Sequence, residues 1–226
     1  MTGMLELVMT SIPYLLGGMY VTLGIVFLSL VMGLIMGLPM SLALVYGPKP
    51  LSLIISTYVW IFRSLPNLVL LFLFFFGIFP LLGLGSVSPF FVAVVALGLR
   101  SAAYQSQIFK GAIQSISEGQ MTAARSLGMT RAQAVKSVIL PQAFRVALPG
   151  WSNEYPILLT DSAVCYVIGV IDILNRGTQI ITRTNEPMLI YLICAVIFIL
   201  LNYGGMKLIH IIEKKIAIPG FGSGAL

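Results

Sequence analysis

Charge is scarce in this sequence. Of 226 residues, 13 are Lys or Arg and 7 are Asp or Glu, 9% in all against 58% hydrophobic. So few ionised groups cannot wet the surface of a water-soluble globule of this size, and an integral membrane protein is expected. Histidine occurs once, as His210 between lysines, and cysteine twice, as Cys165 and Cys194 in apolar surroundings. That inventory excludes a disulfide framework and a metal centre, and the two thiols read as small buried side chains. The chain also lacks a G-x-x-x-x-G-K-[ST] loop to cradle phosphates, so it is not expected to hydrolyse ATP or to bind a cofactor itself. No residue stands out as catalytic. A basic region ahead of a short apolar run is missing too, because Glu6 stands there, and the first apolar segment is expected to stay as a span.

What the chain has is long apolar runs: Pro13 to Tyr46, Pro66 to Pro80, Pro89 to about Ile108, about Val146 to Ile171, and Pro187 to Ile212. Read as crossings, each near the roughly 20 residues a bilayer needs, these give five transmembrane helices in a single all-α unit over residues 1–226. The stretch Leu51 to Phe62, interrupted by Ser52, Ser56 and Thr57, is expected to lie at the membrane interface. Excess positive charge (+6) in a soluble protein would suggest nucleic acid. Here the cations flank apolar runs instead, as loops facing anionic lipid do, so nucleic acid is excluded and the bilayer is the partner. Lys49, Lys110, Arg125, Arg131, Lys136, Arg145, Lys207, Lys214 and Lys215 then fall on one side, opposite an uncharged loop near 80–89 and a loop of 172–186 in which Asp172 and Glu186 offset Arg176 and Arg183. The expected orientation is amino terminus outside and carboxyl terminus inside, with a cytoplasmic connector at about 110–141.

The connector reads TAARSLGMTRAQAVKSVILP over residues 122–141. Ser117 and Gln120 form an S-x-x-Q capping box, Gly128 offers a left-handed stop, and Thr130 caps a second helix with Gln133 or Ala134. Pro141 is expected to end or bend that second helix. A helix, a glycine corner and another helix suit either a docking knob or a plain amphipathic connector. Small residues at Ala123 and Ala124 favour close approach by another surface.

The stretch resembles the signature of permease subunits from ATP-driven importers: E-A-A, three residues, G, nine residues, I-x-L-P. Thr122-Ala123-Ala124, Gly128, Val138 and Leu140-Pro141 supply the match. Around them, GAIQSISEGQMTAARSLGMT, ILPQAFRVALPGWSNEY and EPMLIYL are similar to the polar amino-acid uptake group, which handles histidine, glutamate, glutamine, arginine and opines, and the likeness runs from about Tyr58 to Lys215. The chain departs from that pattern in four places. Thr122 replaces the signature glutamate; Arg63-Ser64-Leu65-Pro66 stands for R-G-T-P; Arg100 stands in a motif that usually carries asparagine; and Thr160-Asp161 replaces a lysine-aspartate pair.

The resemblance implies a pathway subunit of a bacterial or archaeal cell membrane. Two permease chains, alike or homologous, would form the route; two ATPase subunits would bind ATP and magnesium inside; an external binding protein would deliver the amino acid. Gln120, Thr122, Ala123, Ala124, Arg125 and Gly128 would form the ATPase-coupling element.

Ionised groups in the bilayer cost ~2.5–3.5 kcal/mol each on insertion scales, so acids in an apolar span are candidate site residues. Glu154 and Asp161 are seven residues apart, on one helical face, with Asn153 and Thr160 repeating the spacing one residue earlier. Pro149 and Pro156 interrupt the same helix, as in many transporter sites. The two acids are expected to take the substrate's ammonium or a cationic side chain. Arg100, well inside another apolar run, either grips the carboxylate or pairs with Asp161. Gly33 and Gly37 read as helix packing, and Arg63 as a headgroup contact. A transporter or channel driven by an ion gradient is the competing reading, since buried acids also serve as proton or sodium sites.

Overall fold

The computed structural model describes residues 2–216, so Met1 and residues 217–226 of the expected permease unit lie outside the described residues. The architecture is all-helical: α1 (Thr2–Tyr46), α2 (Lys49–Ser64), α3 (Asn67–Phe72), α4 (Phe79–Leu81), α5 (Pro89–Ser115), α6 (Glu118–Ser126), α7 (Arg131–Ala134), α8 (Leu140–Ser152), α9 (Glu154–Ser162), α10 (Ile173–Thr184) and α11 (Pro187–Ile216). A π-helical turn, Leu73–Ile78, joins α3 to α4; another, Val135–Ile139, joins α7 to α8; and a 3₁₀ turn, Ala163–Ile168, extends α9.

Among the described residues two helices are long and apolar enough by themselves to cross a membrane, Glu6–Tyr46 and Pro187–Lys215, and up to four spans result if each of two bent pairs is one span. The pairs are Lys49–Ser64 with Asn67–Leu81, bent by 110°, and Arg131–Ile168 with Ile173–Thr184, bent by 49°. The expected third crossing is one continuous helix, α5, but it is not among these candidates. Its second half is polar, with Arg100, Ser101, Tyr104, Gln105, Ser106 and Gln107 in succession. Of these, Ser101, Gln105 and Ser106 are buried against neighbouring helices, and together the six lower the mean hydropathy of α5.

The central contact is between α1 and α5, the most extensive helix pairing in the molecule. Gly33 and Gly37 make it possible: a Cβ at Gly37 would stand 3.0 Å from the Ala102 carbonyl oxygen, and one at Gly33 would collide with the Gln105 amide. Close approach lets Ser29 Oγ donate to the Val94 carbonyl at 3.2 Å, a polar bond in an apolar core. Ile25, Val26, Leu97, Leu158 and Leu159 complete that core between α1, α5 and α9. At about 68 Å, α1 outruns a bilayer and carries Pro13 and Pro39 without ending.

Two prolines explain the π turns. Pro80 and Pro141 each follow one by two residues, and the wider turn accommodates a ring that would clash with the carbonyl four residues back. The chain therefore stays helical through Pro141 instead of stopping there. Residues 172–186, read as a loop from sequence, contain α10. Asp172 Oδ1 accepts from the Asn175 N–H at 2.8 Å to start it, and Asn185 ends it in the left-handed region at φ 56°.

Candidate functional site

The seam between α5 and the broken α8–α9 helix holds a chain of buried polar contacts. Gln105 Nε2 donates to the Leu30 carbonyl at 3.1 Å and to Ser101 Oγ at 2.9 Å, and Ser101 donates onward to Glu154 Oε2 at 2.8 Å. Trp151 Nε1 donates to Gln105 Oε1 at 2.8 Å. Gln105 is 0% exposed and Glu154 3%, so the network ties α1, α5, α8 and α9 together out of contact with solvent. Glu154 occupies the first position of α9, where the unpaired N–H groups of a helix start favour a carboxylate.

Two turns further along α9, Asp161 forms an ion pair with Arg100 and is about one-fifth exposed. Glu154 and Asp161 thus both face α5, as their spacing predicts, but one is sealed and the other lies at the edge. Asn67 Nδ2 donates to the Asp161 carbonyl at 3.1 Å, bringing the start of α3 to the pair. Two polar atoms here are shielded and have no hydrogen-bond partner among the described residues: Arg100 Nε and Asn67 Oδ1. The Arg100 guanidinium lies 5.2 Å from the centroid of the Tyr104 ring, and Arg63 lies 4.9 Å from the same ring.

Asn153 and Thr160 point outward. Asn153 Nδ2 donates to the Pro149 carbonyl at 3.3 Å and Thr160 Oγ1 to the Pro156 carbonyl at 2.6 Å, with Ile157 exposed between them. They form a stripe on the open side of α9, beside the paired charge but not within it. Sequence reasoning left Tyr104 and Gln105 open between the pathway and a neighbouring span, and missed Asn67 and Ser101 as members of this site. Polar residues at 101, 104 and 105 in an apolar run were the available signal.

At the connector, Ser117 Oγ accepts from the Gly119 N–H at 3.3 Å, while the Gln120 side chain reaches Gln142 instead of closing a reciprocal box. The reciprocal box forms at Thr130 and Gln133. Gly128 sits at φ +84°, its N–H bonded to the Arg125 carbonyl and that of Met129 to the Ala124 carbonyl, the paired pattern of a Schellman stop. Ala124 is buried against the bundle and Ala123 faces out, next to exposed Thr122, Arg125 and Leu127. Leu127 is 80% exposed at the tip. A cleft of about 540 Å³ beneath the knuckle is lined by Tyr46, Ile116, Glu118, Met121, Thr122 and Arg131, among others.

A helical bundle with apolar spans, a polar seam, a paired charge at its edge and a protruding knuckle suits a membrane transport subunit. The chain belongs to the family described as binding-protein-dependent transport system inner membrane component, whose model matches residues 29–218. It is 31% identical to the nopaline transport system permease protein NocM of Agrobacterium fabrum, over 92% of this chain and 90% of that one. It is 38% identical to the arginine transport system permease protein ArtQ of Bacillus subtilis, over 91% and 94%. Among solved structures, an amino acid ABC transporter with histidines matches at TM-score 0.83 and 34% identity, covering 92% of this chain and 96% of that one. The MetNI methionine ABC transporter shares the fold at TM-score 0.79 and 23% identity, over 91% and 97%. Membership makes this chain an inner-membrane permease component, noncatalytic itself, and implies an ATPase and a binding protein as partners.

Proposed function

We propose that this chain forms the translocation route of an ATP-driven importer for a polar or charged amino acid. It would act as one permease unit with five crossings, amino terminus outside, and the knuckle in the cytosol. A second permease chain, identical or homologous, completes the route, and two ATPase subunits grip Gln120, Thr122, Ala123, Arg125 and Leu127. The names of the relatives, which concern arginine and nopaline, support the substrate class. Nothing in the seam favours an ion-gradient mechanism over the motor that family membership implies.

The observation that carries the binding site is the Arg100–Asp161 pair. A guanidinium and a carboxylate paired at the edge of the bundle present the same two charges, with signs exchanged, as an amino-acid zwitterion. An incoming solute can replace each partner for the other, carboxylate on Arg100 and ammonium on Asp161, so neither charge is left bare at membrane depth. The unpartnered Arg100 Nε and Asn67 Oδ1 supply a donor and an acceptor at the same edge. Asn153 and Thr160 line the side that faces the second chain, and Glu154 supports the pair from behind, reaching solute only when the α5–α9 seam opens. ATPase closure moves the knuckle, and the knuckle moves α5 and α8, to which it is joined.

Reconstituted with its ATPase and binding protein, Arg100→Gln or Asp161→Asn should lower uptake by at least tenfold, roughly 1.4 kcal/mol of lost binding. Basal ATP hydrolysis and co-purification with the ATPase should persist. Normal uptake in both variants would remove the pair from the route.

A further inference from the structure

A second polar feature lies beside the seam and is not used by it. Between α2 and α5 opens a cleft of about 400 Å³ lined by Ser56, Val59, Trp60, Arg63, Ser64, Tyr104, Gln107 and Lys110. It holds two cations and no acid. Among the described residues neither Arg63 nor Lys110 makes a salt bridge. The Arg63 guanidinium is held over the Tyr104 ring, which fixes its position without neutralising it. Ser56, Ser64, Tyr104 and Gln107 add hydrogen-bond donors around the same space.

The flank of the cleft is apolar and open. On α2, Trp60 is 70% exposed, Leu53 69% and Ile54 67%. Lys110 lies six residues beyond Tyr104 along α5, about 9 Å toward the connector. Basic pockets between membrane helices, bordered by an exposed tryptophan and by apolar surface, suit a phosphodiester headgroup whose acyl chains run along the outer face. We infer that the α2–α5 cleft binds the headgroup of an anionic phospholipid, Arg63 and Lys110 holding the phosphate and the α2 face holding the chains. A solute carboxylate in passage shares that chemistry, and the two sources separate by experiment.

The importer complex would be purified and placed in nanodiscs of phosphatidylcholine with stepped fractions of phosphatidylglycerol. Retained lipid would be counted by native mass spectrometry, and solute KM measured in the same discs. The wild-type complex should retain phosphatidylglycerol over phosphatidylcholine. Arg63→Gln with Lys110→Gln should weaken that preference roughly thirty-fold, two basic residues at ~1 kcal/mol each near a membrane surface. Solute KM should stay within twofold. Unchanged lipid retention overturns the inference; if KM also rises, the cleft takes the solute's carboxylate instead. Should the double variant fail to assemble, Lys110→Gln alone decides by the same readings at about one-fifth the wild-type preference. The retention measurement needs no transport, so it stands or falls separately from the amino-acid reading.

Discussion

Glu154 shows how one carboxylate can hold four helices. Its hydrogen bond from Ser101 ends a run that begins at the Leu30 carbonyl on α1 and passes through Gln105, which also takes the Trp151 indole N–H. Ser101, Gln105 and Glu154 are buried, so a missing acceptor leaves a donor with no water to turn to. Glu154→Gln retains an acceptor oxygen and should keep thermal stability in detergent close to wild type. Glu154→Ala should cost ~1–3 kcal/mol, read as a lowered unfolding midpoint, because Ser101 loses its acceptor. Equal stability in both variants would mean that the network does not hold the seam. Spacing alone placed Glu154 and Asp161 correctly toward one neighbour, yet could not tell that α5 meets the first with a hydroxyl and the second with a guanidinium. That difference is set by a helix remote in sequence, and so the sealed acid and the edge acid looked alike.

Local signals were strongest in the connector. The Gly128 stop, the Ser117 cap and the Thr130 box lie within a few residues of the groups they satisfy, which is why sequence located them and the structure shows all three. The reciprocal role expected of Gln120 failed because Gln142 competes for its side chain. Helix α10 is masked in the sequence for a different reason: Asp172 and Asn175 announce its start, but the charges of Arg176, Arg183 and Glu186 give the segment the composition of a loop. The apolar residues Ile173, Leu174, Ile180 and Ile181 recur at helical spacing, and Ile173 is fully buried in the small core formed by α1, α10 and α11. Gly128 is the best lever on this part of the molecule. Its φ of +84° suits no β-branched residue, and a Cβ there meets nothing, so replacement strains only the corner. Gly128→Val should leave membrane insertion intact, cost ~1–2 kcal/mol locally, and lower the number of solutes carried per ATP hydrolysed by the assembled importer. Unaltered coupling in that variant would show that the corner does not set the angle of the knuckle.

At the scale of the whole molecule, crossings and direction rest on charge asymmetry more than on helix length. Length and composition identify two to four spans, because α5 is polar in its second half and α2–α3 and α8–α10 are bent. Buried polar groups lower the mean hydropathy of α5, and Gln105 at 0% exposure is such a group. Lysine and arginine lie near the knuckle, as Lys110 and Arg125, and in the last turn of α11, as Lys214 and Lys215, while Arg176 and Arg183 lie on α10 between Asp172 and Glu186. If the basic end is cytoplasmic, Leu127 and Glu186 lie on opposite sides of the membrane. Both are exposed, and the native thiols, Cys165 and Cys194, are buried. A membrane-impermeant maleimide applied to intact cells should therefore label Glu186→Cys and spare Leu127→Cys. In inverted vesicles the pattern should reverse. Labelling of both from one side would require an even number of crossings between residues 127 and 186, which removes the five-span arrangement while leaving family membership and the paired charge untouched.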